Sequence, residues 1–325
     1  MRISLSVVLF LAVAVAVAVA VCGPARAATT FSVPASGLPD PLVFITYGDI
    51  RFTNLSETAA SSPSVRQALI TKIAEESPAA IFMNGDLPWH GIVADYDVYR
   101  SETRAWRSTH LRVYPALGNH EFSACLESIC LERWWDTFPE LRGRRWYSVA
   151  IGAKLVGIAL DSDAPLLPGS EQRAWLEHQV ASLDPAVRVV LIFMHHPPVA
   201  DVQTVKLVDH NPRANEQSLA AYLQQAAAHS AARFVVSAGH IHNYQRFAQD
   251  GVMYLVSGGG GAAPYDVDRL ASDLYQDTAF PNYHYVRFEL HAATLTGEMI
   301  RLEDYANPKP AQWKSKDKFE ISLRP

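Results

Sequence analysis

The chain has 325 residues and a formal net charge of −5, with 49% hydrophobic and 19% charged residues. That composition supports a sizeable buried core and excludes a polar disordered chain. No Lys/Arg block stands out, which argues against a polybasic membrane binder or an avid nucleic-acid binder, and three cysteines are too few for a disulfide-dense scaffold.

Residues 1–27 read as an export signal. Arg2 precedes an apolar Val/Ala/Leu run over Leu5–Val21, and Ala25 and Ala27 stand at the −3 and −1 positions of a cleavage site. An uncleaved N-terminal anchor is the alternative, since the run is long for a cleaved signal. No other stretch is apolar enough to span a bilayer, so the chain is expected to be secreted or periplasmic. In that oxidising space Cys125 and Cys130, five apart, are expected to bridge, with two reduced thiols as the alternative. Residues 28–41, with several prolines and serines, read as a leader, and 42–325 as a single domain.

Short apolar runs rich in β-branched residues then keep ending in polar motifs. Residues 42–47 run into Gly48-Asp49, 79–83 into Asn84-Gly85-Asp86, and 112–117 into Gly118-Asn119-His120-Glu121. Residues 187–194 run into His195-His196-Pro197, and 234–238 into Gly239-His240-Ile241-His242. Near-continuous apolar runs predict strands covered on both faces. Helical spacing predicts helices over 63–76, 95–108, 170–183 and 215–229. Residues 149–160 and 253–257 add strands, and alternation after Tyr283 predicts antiparallel ones. The whole argues for an α/β domain of largely parallel strands, with ligands at the C-terminal strand ends. The glycine run 258–261 reads equally as a flexible turn or as backbone brought close to a ligand.

Together the five strand ends offer Asp49, Asp86, Asn119, His120, His195, His196, His240 and His242. Oxygen and imidazole donors suit borderline ions such as Zn, Mn or Fe. No cysteine pair has zinc-finger spacing, and no Gly-x-Ser-x-Gly elbow points to a serine nucleophile. His90, His110, His178, His210, His229, His284 and His291 read first as hydrogen-bonded core or surface residues. Trp134, Trp135 and Trp146 read as core. The loops expected to choose a substrate, 87–94, 198–215 and 258–270, have no readable pattern.

The ordered set Gly-Asp, Gly-Asp, Gly-Asn-His-Glu, His-His-Pro-Pro, Gly-His-Ile-His resembles the calcineurin-like metallophosphoesterases. Residues 239–246 and the Gln-Arg-Ala-Trp-Leu of 172–176 resemble the purple acid phosphatase branch. The resemblance covers about 43–260 and implies a four-layer α/β/β/α sandwich with two mixed sheets. It implies two divalent or trivalent ions, of Fe, Zn or Mn. Asp86 would bridge them, Asp49 and His242 would hold the first, and Asn119, His195 and His240 the second. His120 would sit beside the phosphate as acid or charge stabiliser. A hydroxide shared by the ions would attack a small phosphomonoester or phosphodiester.

Two departures from the family pattern stand out. Arg51 replaces a common His or Gly; it cannot ligate a cation but can clamp a phosphate. Trp89 stands where purple acid phosphatases carry a ligating Tyr, and its indole nitrogen is a donor only. The first ion therefore lacks a protein ligand, which leaves three alternatives: water fills the place, His90 fills it, or the first site is only weakly occupied. A binding or regulatory protein with little turnover is the alternative this leaves. His196, beside a ligand, is expected behind the ligands or at the substrate.

Overall fold

The computed structural model describes residues 29–203 and 210–324. Residues 1–27, read above as an export signal, and residues 204–209 of the loop after His196 lie outside the described residues.

Strands β1 (Phe31–Val33) and β2 (Leu42–Tyr47) lead to helix α1 (Pro63–Glu76). That helix starts and ends where the spacing predicts, because the Ser62 side chain accepts the Val65 N–H and Pro63 opens the first turn. After β3 (Ala80–Met83), the single helix predicted over 95–108 is two, α2 (Val93–Glu102) and α3 (Arg104–Ser108). They part at Thr103, whose hydroxyl donates back to the Tyr99 carbonyl at 2.6 Å and so competes with the helical ladder. β4 (Val113–Pro115) precedes α4 (Glu127–Thr137), a helix the sequence did not announce, since Leu126 at its start supplies no capping side chain. Cys125 and Cys130 are disulfide-bonded, with Cα atoms 5.7 Å apart, and pin the start of α4.

The run 149–160 is a hairpin, β5 (Tyr147–Ile151) and β6 (Leu155–Ala159), turned by Gly152 at φ 62°. Then follow α5 (Glu171–Ala181), capped by Ser170, β7 (Val189–Met194), β8 (Val202–Gln203) and α6 (Ala214–His229). The chain closes with β9 (Arg233–Ala238), β10 (Tyr244–Gln249), β11 (Val252–Ser257), β12 (Val267–Asp268), β13 (His284–Leu290), β14 (Thr294–Leu302) and β15 (Trp313–Ser322).

Two large sheets result, ordered β1-β5-β6-β7-β9-β11-β10 and β15-β14-β13-β2-β3-β4. Both are mixed, which corrects the largely parallel expectation. The centres are parallel (β6–β7–β9–β11 and β2–β3–β4), whereas two hairpins and the alternating tail pair antiparallel. The leader is built into the fold, because β1 pairs with β5.

The sheets face each other across an apolar core in which Phe82 of β3 meets Phe193 of β7, ring centroids 5.0 Å apart. Each such buried phenylalanine contributes about 2–3 kcal/mol. Leu69, Ile73 and Trp106 of α1 and α3 cover the six-stranded sheet, and Leu176, Leu219 and Leu223 of α5 and α6 cover the other. The layering is the α/β/β/α sandwich implied by the resemblance. Trp134 is buried in the core and Trp135 packs at its edge. Among the described residues, no helix is long and apolar enough to cross a membrane.

Candidate metal centre

The five strand ends meet where the two sheets face each other. Asp49, Asp86 and Asn119 follow β2, β3 and β4 of one sheet; His195, His240 and His242 follow β7 and β9 of the other. Hydrogen bonds lock this junction: Asn84 Nδ2 donates to Ser237 Oγ at 3.0 Å, and Ser237 Oγ donates to Thr46 Oγ1 at 3.0 Å. The backbone is strained here. Asp49, Arg51, Asp86 and His240 have φ of 59°, 54°, 53° and 70°, the left-handed region that non-glycine residues adopt at a cost of about 1–3 kcal/mol each. A Cβ on Gly118 would lie 2.5 Å from Asp86 Oδ1, and one on Gly258 2.8 Å from Asp49 Oδ2. The glycine run 258–261 is packed rather than a free turn: Gly258 backs onto Asp49, Gly259 onto His284 and Gly260 onto Gly48.

Hydrogen-bond chemistry decides which atoms face the site. His195 Nδ1 lies 3.1 Å from the Asn84 carbonyl, an acceptor only, so Nδ1 donates and Nε2 presents a lone pair. Around that Nε2 stand Asn119 Oδ1 at 2.9 Å, His240 Nδ1 at 3.1 Å and Asp86 Oδ1 at 3.2 Å. A proton on one of these atoms satisfies one neighbour; a cation among them satisfies all four. Two imidazoles, a carboxylate and an amide oxygen suit a borderline divalent ion. The second position therefore fits the ion that the resemblance implies.

The first position is less complete. His242 Nδ1 donates to the Ala263 carbonyl, and its buried Nε2, with no hydrogen-bond partner among the described residues, lies 3.3 Å from Asp49 Oδ1. The remaining oxygen of Asp86, Oδ2, lies 3.4 Å from Arg51 Nη2.

Charge follows burial and neighbours. Burial would raise the Asp86 carboxyl, but His195, His120 and Arg51 outweigh it and hold it well below the usual carboxylate range. On His195 burial opposes charge, yet Asp86 and Asp49 override it and raise the pKa. Burial, then the neighbouring His195 and His196, push His240 well below the ordinary imidazole value, toward the neutral form that metal ligation needs.

His120 lies beside this cluster. Its backbone N–H donates to Asp86 Oδ1 at 3.0 Å, and its Nδ1 donates to the Trp89 carbonyl at 2.7 Å. Its Nε2 therefore accepts from Arg51 Nη2, 2.9 Å away. Trp89 stacks on His120 with centroids 4.7 Å apart, and the Arg51 guanidinium lies 4.8 Å over the same indole. Trp89 thus replaces a ligand with a platform.

His90 does not join the cluster as a substitute ligand; its Nδ1 pairs with Ser123 Oγ at 3.1 Å. His196 lies with His195 and His240, one ring nitrogen of each within 4.8 Å of the others; its Nδ1 is 2.8 Å from Ser162 Oγ and its ring 4.2 Å from that of His240. Burial and His195 push it down to about 2, so it is neutral. His210 corrects the plain reading given to it: its ring lies 4.6 Å from His240 and 5.0 Å from Tyr265, which in turn stacks on His242 at 4.0 Å. No motif marks His210, which a patternless loop brings in. Glu121, unassigned by the sequence although it closes Gly-Asn-His-Glu, is buried and accepts three backbone N–H groups around Asp86. His284 keeps its plain reading, bonded to Ser257 and to the Asn282 carbonyl.

Residues 50–244, more than half of the chain, match the family model for calcineurin-like phosphoesterases. No curated protein matches the chain. Among solved structures it is similar to purple acid phosphatase PPD1 isolated from yellow lupin (Lupinus luteus) seeds, with a TM-score of 0.69 and 18% identity over 86% of this chain and 53% of that one. The chain thus spans about half the length of the lupin protein. It is also similar to GAP50, the anchor in the inner membrane complex of Plasmodium, with a TM-score of 0.55 and 11% identity over 87% of this chain and 89% of that one. Both likenesses show a shared fold. Motif order, sheet topology and the family match agree, and the chain belongs to the calcineurin-like phosphoesterase family.

Proposed function

We propose that the protein is an exported, metal-dependent phosphoesterase that hydrolyses small phosphomonoesters or phosphodiesters. The carrying observation is the convergence of Asp86, Asn119 and His240 atoms within 3.2 Å of His195 Nε2. In this reading Asn119, His195 and His240 hold the second ion, Asp49 and His242 contribute to the first, and Asp86 serves both. The family implies a dinuclear centre; bound ions supply Lewis acidity and a water of lowered pKa.

The chain's own groups do the rest. Arg51 offers a planar, permanently charged donor fork matched to phosphate oxygens. His120 faces the same space through Nε2, which accepts from Arg51 and would have to take up a proton before it could protonate the leaving oxygen or stabilise its charge, while the Trp89 carbonyl keeps the ring from turning. The Cys125–Cys130 bridge suits an oxidising compartment and so supports export by residues 1–27.

Arg51 and Trp89 favour a second reading, a binding protein on this scaffold with little turnover. The test is hydrolysis of p-nitrophenyl phosphate and bis(p-nitrophenyl) phosphate by protein loaded with Zn, Mn or Fe. Turnover that disappears in Asp86→Ala supports the hydrolase. Retained metal with no turnover of either ester supports the binding protein, and failure to bind any of the three ions overturns both.

A further inference from the structure

We propose that the centre retains a single ion, at Asp86, Asn119, His195 and His240, and that the Arg51 guanidinium provides the positive charge on the other side of Asp86. This rests on the metal-dependent reading above and changes its count of ions from two to one. The four atoms of the second position lie within hydrogen-bonding distance of His195 Nε2 and come from four side chains. The first position has only Asp49, His242 and the outer oxygen of Asp86; His242 Nε2 has no hydrogen-bond partner among the described residues, but the two carboxylates are already engaged. Both Asp49 oxygens accept the His240 backbone N–H, at 3.1 and 2.9 Å. Asp86 Oδ2 faces Arg51 Nη2 at 3.4 Å.

Arg51 cannot lose its charge, and it is not free to swing away. The residue is 8% exposed, its guanidinium lies over Trp89, and Nη2 bonds His120. Its backbone carbonyl accepts from Arg66 Nη1 at 3.2 Å, which holds the left-handed turn that aims the side chain inward. A dication between Asp49 and His242 would therefore sit against a fixed like charge, with one protein ligand fewer than the resemblance implies. At the second position no cationic side chain opposes the ion in this way among the described residues.

The experiment is metal counting, independent of activity. Protein loaded with Zn²⁺ is dialysed against metal-free buffer and its zinc measured by plasma mass spectrometry. The wild type should keep about one ion per chain, and so should His242→Ala, whereas His195→Ala should keep none. Arg51→His, which removes the guanidinium and supplies an imidazole, should keep two. Two ions in the wild type, or one in Arg51→His, overturn the proposal and leave the metal-dependent reading standing. No ion in the wild type overturns both. If Arg51→His does not fold, Arg51→Met serves. Calorimetric titration should then show a second zinc-binding event that the wild type lacks, and its absence counts against the proposal.

Discussion

Glu121 holds Asp86 by its backbone: Oε2 accepts the N–H of Asp86 at 3.2 Å and of Gly118 at 2.8 Å, while Oε1 accepts that of Leu87 at 3.0 Å. One buried carboxylate thus joins the loop after β3 to the turn after β4 and keeps Asp86 in its strained conformation. Glu121→Gln preserves volume but sets an amide N–H₂ against one of these donors. It and Glu121→Ala should both weaken zinc affinity by about 10–100-fold. Calorimetric titration checks this, and unchanged affinity in the Gln variant would mean the loop keeps its shape unaided.

His120 grips Asp86 through its main chain, not its ring. His120→Ala should therefore retain the wild-type zinc content while slowing hydrolysis by about 10²–10⁴-fold. If the ring protonates the leaving oxygen, alkyl phosphates will suffer more than p-nitrophenyl phosphate, whose leaving group needs no proton. Equal losses on both would assign the ring to charge stabilisation instead.

Arg66 is a buried cation whose donors are all used. Nε and Nη2 each reach Glu102 at 2.7 Å, and the guanidinium also bonds Ser61 and the Arg51 and Thr53 carbonyls. Arg66→Met leaves Glu102 unpaired and two loop carbonyls unsatisfied. Urea unfolding should show a loss of about 3–5 kcal/mol; a loss below about 1 kcal/mol would mean that water or a repacked loop replaces the network.

Asp201 should make stability depend on pH. Burial, and then a hydrogen bond with Asp273, push its carboxyl from 3.8 to about 7 in the folded state. The folded protein then holds this proton more tightly than the unfolded chain. The associated stabilisation is complete below pH 3.8 and is lost as pH rises through about 7. Asp201→Asn cannot titrate, so its advantage over the wild type should grow across that interval and level off above it. Thermal unfolding of both proteins across the interval is the measurement; a constant difference would reject the shift.

Much of this was legible in the chain because each strand of the parallel centres ends on its own polar motif. The five apolar runs fell on β2, β3, β4, β7 and β9, and Ser62-Pro63 announced α1. What periodicity cannot carry is which sheet a strand joins. The separation of the acidic and amide groups from the imidazoles onto different sheets was therefore invisible. β10 was missed because it begins inside the Gly-His-Ile-His-Asn-Tyr motif, and α4 because no capping side chain precedes it. His210 stands in a stretch without period, and the direction of Arg51 depends on a left-handed turn after Asp49 that no residue type advertises.

The division of the donors between two sheets has a consequence for the whole molecule. An ion held by Asp86 and His195, as proposed, would rivet one half of the sandwich to the other and link occupancy to folding. At free metal a thousandfold above its dissociation constant, the link is worth about 4 kcal/mol. A chelator would then lower the stability of the whole sandwich by that amount.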